Sequence, residues 1–123
     1  MITEDYVSFE VAKLLKEKGF DEPIQYFYKS DSKELYRGTV FTNTQIGDKF
    51  YNAPTHQMAM KWLREIHKLF IMILLLEKEE GNYGYTVEKI GSREFISTSG
   101  NISYDTTEDA VEAALKYSLE NLI

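Results

Sequence analysis

The chain contains no cysteine. Disulfides, thiol nucleophiles and zinc–thiolate centres are therefore excluded, and the absence fits a reducing compartment. Histidine is scarce too: His56 and His67 are the only two, so imidazole chemistry has few candidates. Only two prolines and seven glycines are present, with no low-complexity tract, no internal repeat and no long linker. The longest apolar run, Leu69 to Leu76, has eight residues, against the roughly 20 that a spanning helix needs. The opening "MITEDYVSFE" has neither a basic n-region nor an apolar h-region, so it is not a secretory signal. A soluble, cytoplasmic protein is expected.

Basic residues are in the minority. Lys and Arg number 14 against 20 Asp and Glu, for a net charge of −6, and the pI is about 4.9. Such a field repels phosphate backbones, so nucleic acid is a disfavoured partner unless a local basic patch overrides it. Catalytic signatures are missing as well. No Walker pattern, G-x-G-x-x-G or G-x-S-x-G occurs, and Ser97 and Ser99 have no base nearby in sequence. The G-x-x-G in "EGNYGY" follows acids and reads as a hairpin turn. No carboxylate pair is singled out for acid–base work. No catalytic residue, cofactor or metal is therefore assigned. Asn101-Ile102-Ser103 matches the glycosylation triplet, which without secretion reads as chance.

What is present is globular. The 123 residues are 43% hydrophobic and 28% charged, enough for one domain, 1–123, with a real core. Ser8 is a helix cap, with Glu10 and Lys16/Lys18 placed to suit the helix dipole. Val7, Val11, Leu14 and Leu15 form one apolar stripe, and Gly19 ends the helix with Phe20 folding back. "IQYFYK" alternates as a strand, with Ile24, Tyr26 and Tyr28 on one side. "SDS" is a turn and "ELYRGTVF" the partner strand. From Thr42 to Pro54 the pattern fades into a long polar-aromatic loop, the first place to look for function.

A helix follows, capped by Thr55, in "APTHQMAMKWLREIHK". Ala59, Trp62, Leu63 and Ile66 share one face and form a core stripe, while Lys61, Arg64 and Lys68 lie opposite. The two histidines stand eleven residues apart, or roughly 16 Å along a helix at 1.5 Å per residue. They cannot share one ion at about 2 Å from each. His56 is expected in a polar first turn, and His67 near the negative helix end, where its charged form would be favoured.

The Leu69–Leu76 run suggests either a strand buried on both faces or a continuation of the helix. Its length and the acidic break "EKEEGN" favour a central strand. "YGYTVEKI" and "REFISTS" read as two further strands joined at Gly91-Ser92. Thr106 caps a last helix with Val111, Ala114, Leu115, Ser118 and Leu122 on one side. The order α-β-β-α-β-β-β-α predicts an α+β, two-layer fold with helices packed on one face of an antiparallel sheet.

Nine Tyr, seven Phe and one Trp suit contact surfaces, because tyrosine adds area at little entropic cost. The candidate interaction surface is Lys61, Arg64 and Lys68 with the loop aromatics Phe50 and Tyr51. The function expected is a small non-enzymatic protein-interaction or regulatory domain with a protein partner. Nucleic-acid binding through Lys61, Arg64 and Lys68 is the alternative.

The segments "SFEVAKLLKEKGFDEP", "APTHQMAMKWLRE" and "EAALKYSLENLI" resemble a family of short uncharacterised proteins from gut-dwelling anaerobic bacteria. Its genes often lie beside phage or mobile-element genes. The resemblance implies a small stand-alone domain of phage origin, and carries no catalytic residues.

Overall fold

A computed structural model describes residues 2–92, 95–98 and 102–123. These fall into two compact units, Met1–Thr55 and His56–Ile123. The protein is α+β, with two antiparallel three-stranded sheets.

The first unit opens with helix α1, Phe9–Glu17. The Ser8 hydroxyl accepts from the Val11 N–H at 3.2 Å, satisfying one of the free donors of the first turn. Gly19, at φ +93°, turns the chain back so that the Phe20 N–H reaches the Leu15 carbonyl at 2.9 Å. Val7, Val11 and Leu15 of the expected stripe are buried, as is Phe20 where the chain folds back, whereas Leu14 is half-buried.

Strands β1 (Ile24–Lys29), β2 (Leu35–Phe41) and β3 (Phe50–Asn52) make a sheet in the order β2-β1-β3. The two faces of β1 separate as the alternation predicts. Tyr26 lies against Tyr6 with the rings tilted by 35°, and Tyr28 donates its hydroxyl to the Val7 carbonyl at 2.6 Å beside Phe9. On the other face, Phe27 lies edge-on to Phe50.

The expected Thr42–Pro54 loop is largely ordered structure. It holds a one-turn helix α2 (Asn43–Ile46) and all of β3. Thr42 and Gln45 form a reciprocal capping box. Asn43 is buried. Its amide nitrogen donates to the Phe20 carbonyl at 2.8 Å, and its oxygen accepts from the Asn52 N–H at 2.9 Å. The Lys16 ammonium donates to the carbonyls of Gly47 and Phe50. These polar ties hold a segment with little apolar content, which is why hydrophobic periodicity does not reveal it.

The second unit comprises α3 (His56–Ile66), β4 (Leu69–Lys78), β5 (Gly81–Lys89), β6 (Phe95–Thr98) and α4 (Thr107–Asn121), with sheet order β4-β5-β6. Thr106 caps α4 by accepting from the Asp109 N–H at 3.0 Å. Val111, Ala114, Leu115 and Ser118 are buried, joined by Leu119. Leu122, expected on that face, is the half-buried C-cap. Leu69 and Ile71 from β4 and Tyr85 and Val87 from β5 are buried on the sheet face that α3 and α4 pack against.

Leu69–Leu76 is a strand, but it is neither central nor buried on both faces. β5 takes the middle of the sheet, because two successive hairpins put the second strand between its neighbours. The run therefore alternates: Leu69 and Ile71 face the core, whereas Phe70 and Met72 point outward. A second departure is the division of the strands between two sheets rather than one. Arg93, Glu94 and Ser99 of the expected strand, and Asn101, the acceptor of the glycosylation triplet, lie outside the described residues.

Candidate interaction surface

The corner between α3 and β4 carries most of the residues singled out in the sequence. Ala59, Trp62 and Leu63 are buried, but Ile66 is 59% exposed. It lies at the last helical residue, where the chain is already leaving the core. The His67 N–H makes the final helical bond, to the Leu63 carbonyl. Lys68 then takes φ +58°, a left-handed conformation that costs a non-glycine residue about 1 kcal/mol or more. One residue thus converts the helix into β4. The Lys68 ammonium folds back onto the Glu65 carbonyl at 3.0 Å, covering a free acceptor of the last turn. Lys68 accordingly lies beyond the helix, and the basic stripe on α3 itself is only Lys61, exposed, and Arg64, half-buried.

Both histidines depart from expectation. His56 is buried, and its Nε2 lies 2.8 Å from the Glu112 carboxylate. It ties the start of α3 to α4 rather than standing in a polar first turn. No spacing rule within α3 could reveal a partner 56 residues away. The His67 ring packs edge-on to Trp62 with centroids 4.7 Å apart, and its Nε2 is buried without a hydrogen-bond partner. Burial lowers its pKa, the opposite direction to that expected of a histidine charged at a helix end. Among the described residues, no three His, Asp or Glu side chains converge as metal ligands would.

Phe50 and Tyr51 belong to the first unit, whereas Lys61, Arg64 and Lys68 belong to the second. Phe50 packs against Phe27 and lines, with Phe41, Gln45 and Ile46, an apolar recess of about 220 Å³. Tyr51 packs edge-on to Phe9 with the Lys16 ammonium 5.5 Å from its ring centre. Both are half-buried packing residues. The strand tyrosines also turn inward: Tyr26 and Tyr28 pack against the segment 6–9, and Tyr85 is buried.

The surface that periodicity hides is the outer side of β4. On it Phe70 and Met72 are 36% and 44% exposed, while Leu75, on the opposite face by the unbroken register, is 65% exposed near the end of the strand. Among the described residues the strand is also an edge strand, with β5 on one side and no strand on the other. The Lys68 carbonyl accepts from the Ile90 N–H at 2.8 Å, so the even-numbered residues direct their peptide groups to β5. Antiparallel geometry then aims those of Leu69, Ile71, Ile73 and Leu75 at the open side. A bulge between Leu75 and Lys78, with Glu77 at φ +54°, ends the regular stretch. Charge, proline and inward-pointing polar residues are the usual guards of an open edge, and none occurs from Leu69 to Leu76.

No family model, curated protein or solved structure matches this chain. The gut-bacterial, phage-linked family resemblance therefore rests on the wording of its three segments. No helix among the described residues is long and apolar enough to cross a membrane.

Proposed function

We propose that this chain is a small non-enzymatic protein-interaction domain that makes its contact through the outer side and open edge of β4. The observation that carries this reading is the unguarded apolar edge, Leu69 to Leu75, with Phe70, Met72 and Leu75 exposed. An open strand of this kind offers main-chain hydrogen bonds for affinity and alternate side chains for specificity. The resemblance of its three segments to short gut-bacterial proteins encoded beside phage or mobile-element genes supports a small stand-alone domain of phage origin. The test is affinity capture with the tagged chain from a lysate of its source, in parallel with a Met72→Lys bait. A protein bound by the native chain and lost with the variant is expected. Recovery of nothing that distinguishes the two baits would defeat the reading.

Nucleic-acid binding through Lys61, Arg64 and Lys68 is the competing reading, supported by exposed Lys61 on α3. The net charge of −6 and the use of the Lys68 ammonium as a helix cap weigh against it. A salt-titrated binding assay with duplex and single-stranded DNA and RNA decides the matter. Salt-sensitive binding abolished by Lys61→Glu, Arg64→Glu and Lys68→Glu together would establish this alternative.

A further inference from the structure

The geometry points to a second copy of this chain as the partner of β4: two β4 strands pair antiparallel about a two-fold axis, joining two three-stranded sheets into one of six. This rests on the protein-interaction reading above and names its partner. The strand is self-complementary in three respects.

The first is hydrogen bonding. The outward peptide groups of Leu69, Ile71, Ile73 and Leu75 follow from the β4–β5 register. A two-fold axis normal to the sheet keeps each face on its own side, so residues of equal parity must oppose one another. Centred on Met72, the axis sets Ile71 opposite Ile73 and Leu69 opposite Leu75, all with peptide groups facing the partner. The second is side-chain matching. On the outer face Met72 then meets its own copy and Phe70 meets Leu74, apolar against apolar. A register centred on Ile73 would instead run Leu69 against Glu77, at the bulge where regular pairing stops, which disfavours it.

The third is charge. The segment before the strand, 61–68, has three basic residues and one acid, and the segment that follows the apolar run, 77–80, has three acids and one base. Antiparallel pairing sets the basic end of each copy at the acidic end of the other, twice over. A parallel arrangement would oppose like ends. The bulge at Glu77 ends the pairing where the apolar run ends.

Sedimentation equilibrium of the full chain tests the proposal. A species of twice the 14.3 kDa chain mass is expected at micromolar concentration. Met72→Lys places two ammonium groups together at the axis and should weaken association by about tenfold or more. Because the Met72 side chain points outward, the urea midpoint of the variant measured as a monomer shows whether the fold survives. The cysteine-free sequence adds a second measurement. A Met72→Cys variant should form a disulfide-linked dimer on mild oxidation, since directly opposed residues of a non-hydrogen-bonded pair lie close enough. Val40→Cys, on exposed β2, should not. A monomeric native chain that yields no Met72→Cys dimer overturns the self-pairing. If that monomer still captures another protein in a Met72-dependent way, the interaction reading stands and only the identity of the partner falls. A dimer that survives Met72→Lys and gives no crosslink overturns β4 as the contact.

Discussion

Replacing Asn43 by alanine tests whether the segment after β2 is a structural brace or a ligand loop. Asn43 is 4% exposed and makes two bonds, to the Phe20 carbonyl at 2.8 Å and from the Asn52 N–H at 2.9 Å. Alanine would strand both backbone groups at a buried position. Each such group costs about 1–3 kcal/mol, so roughly 2–6 kcal/mol is at stake. Thr44 and Gln45 beside it are exposed, so partial rehydration in the variant favours the lower half of that range. Alanine also returns about 0.5 kcal/mol in helix propensity. The expected net loss is about 2–3 kcal/mol, a large fraction of the ~5–15 kcal/mol typical of a domain. Urea unfolding followed by far-UV circular dichroism should show a midpoint lower by about 1–2 M, at a slope of about 1–3 kcal/mol per M. Trp62 lies in the other unit, so its fluorescence reports separately on whether the two units unfold together. Amide exchange at Asn52 should accelerate. Asn43→Asp keeps the acceptor for Asn52 but sets a carboxylate against the Phe20 carbonyl, and should rescue only part of the loss. A cost below about 0.5 kcal/mol with unchanged exchange at Asn52 would refute the brace.

His67 should make stability fall in acid. Its folded pKa lies below the ordinary 6.5 because burial disfavours the imidazolium, so the unfolded chain binds the proton more readily. Its contribution is complete above about 6.5 and is lost as pH falls through the lower folded value. Urea midpoints measured from neutral to mildly acidic pH should drop more steeply for the native chain than for His67→Gln; equal slopes would exclude this role. Gly81→Ala would bring a Cβ within 3.0 Å of the Tyr104 backbone, next to the bridge that joins Tyr83 and Tyr104. The displaced backbone should cost about 1–3 kcal/mol, read as a lower thermal midpoint, and an unchanged midpoint would contradict the contact. Glu112→Ala removes the carboxylate that lies 2.8 Å from the Nε2 of buried His56 and should cost about 1–3 kcal/mol, whereas replacement of exposed Glu120 by alanine should change the midpoint little.

The amino-acid sequence alone determined what is local. Ser8 and Thr106 cap their helices because a hydroxyl three residues before a free N–H needs no distant partner. The stripes Val7–Val11–Leu15 and Ala59–Trp62–Leu63 bury themselves because helical spacing puts them on one face. Strand alternation likewise separates Tyr26 and Tyr28 from Phe27. Tertiary structure decided what depends on neighbours. Whether Leu69–Leu76 lies at the centre or the edge of a sheet is set by which strands pair with it, and an apolar run reads the same in both places. The brace around Asn43 joins residues from three separate segments through polar bonds that leave no period in the sequence. His56 finds Glu112, and His67 finds Trp62 in place of solvent, only once the helix has docked. The proposed contact at β4 arises the same way: its side chains are ordinary core residues by composition, and the sheet order leaves them uncovered.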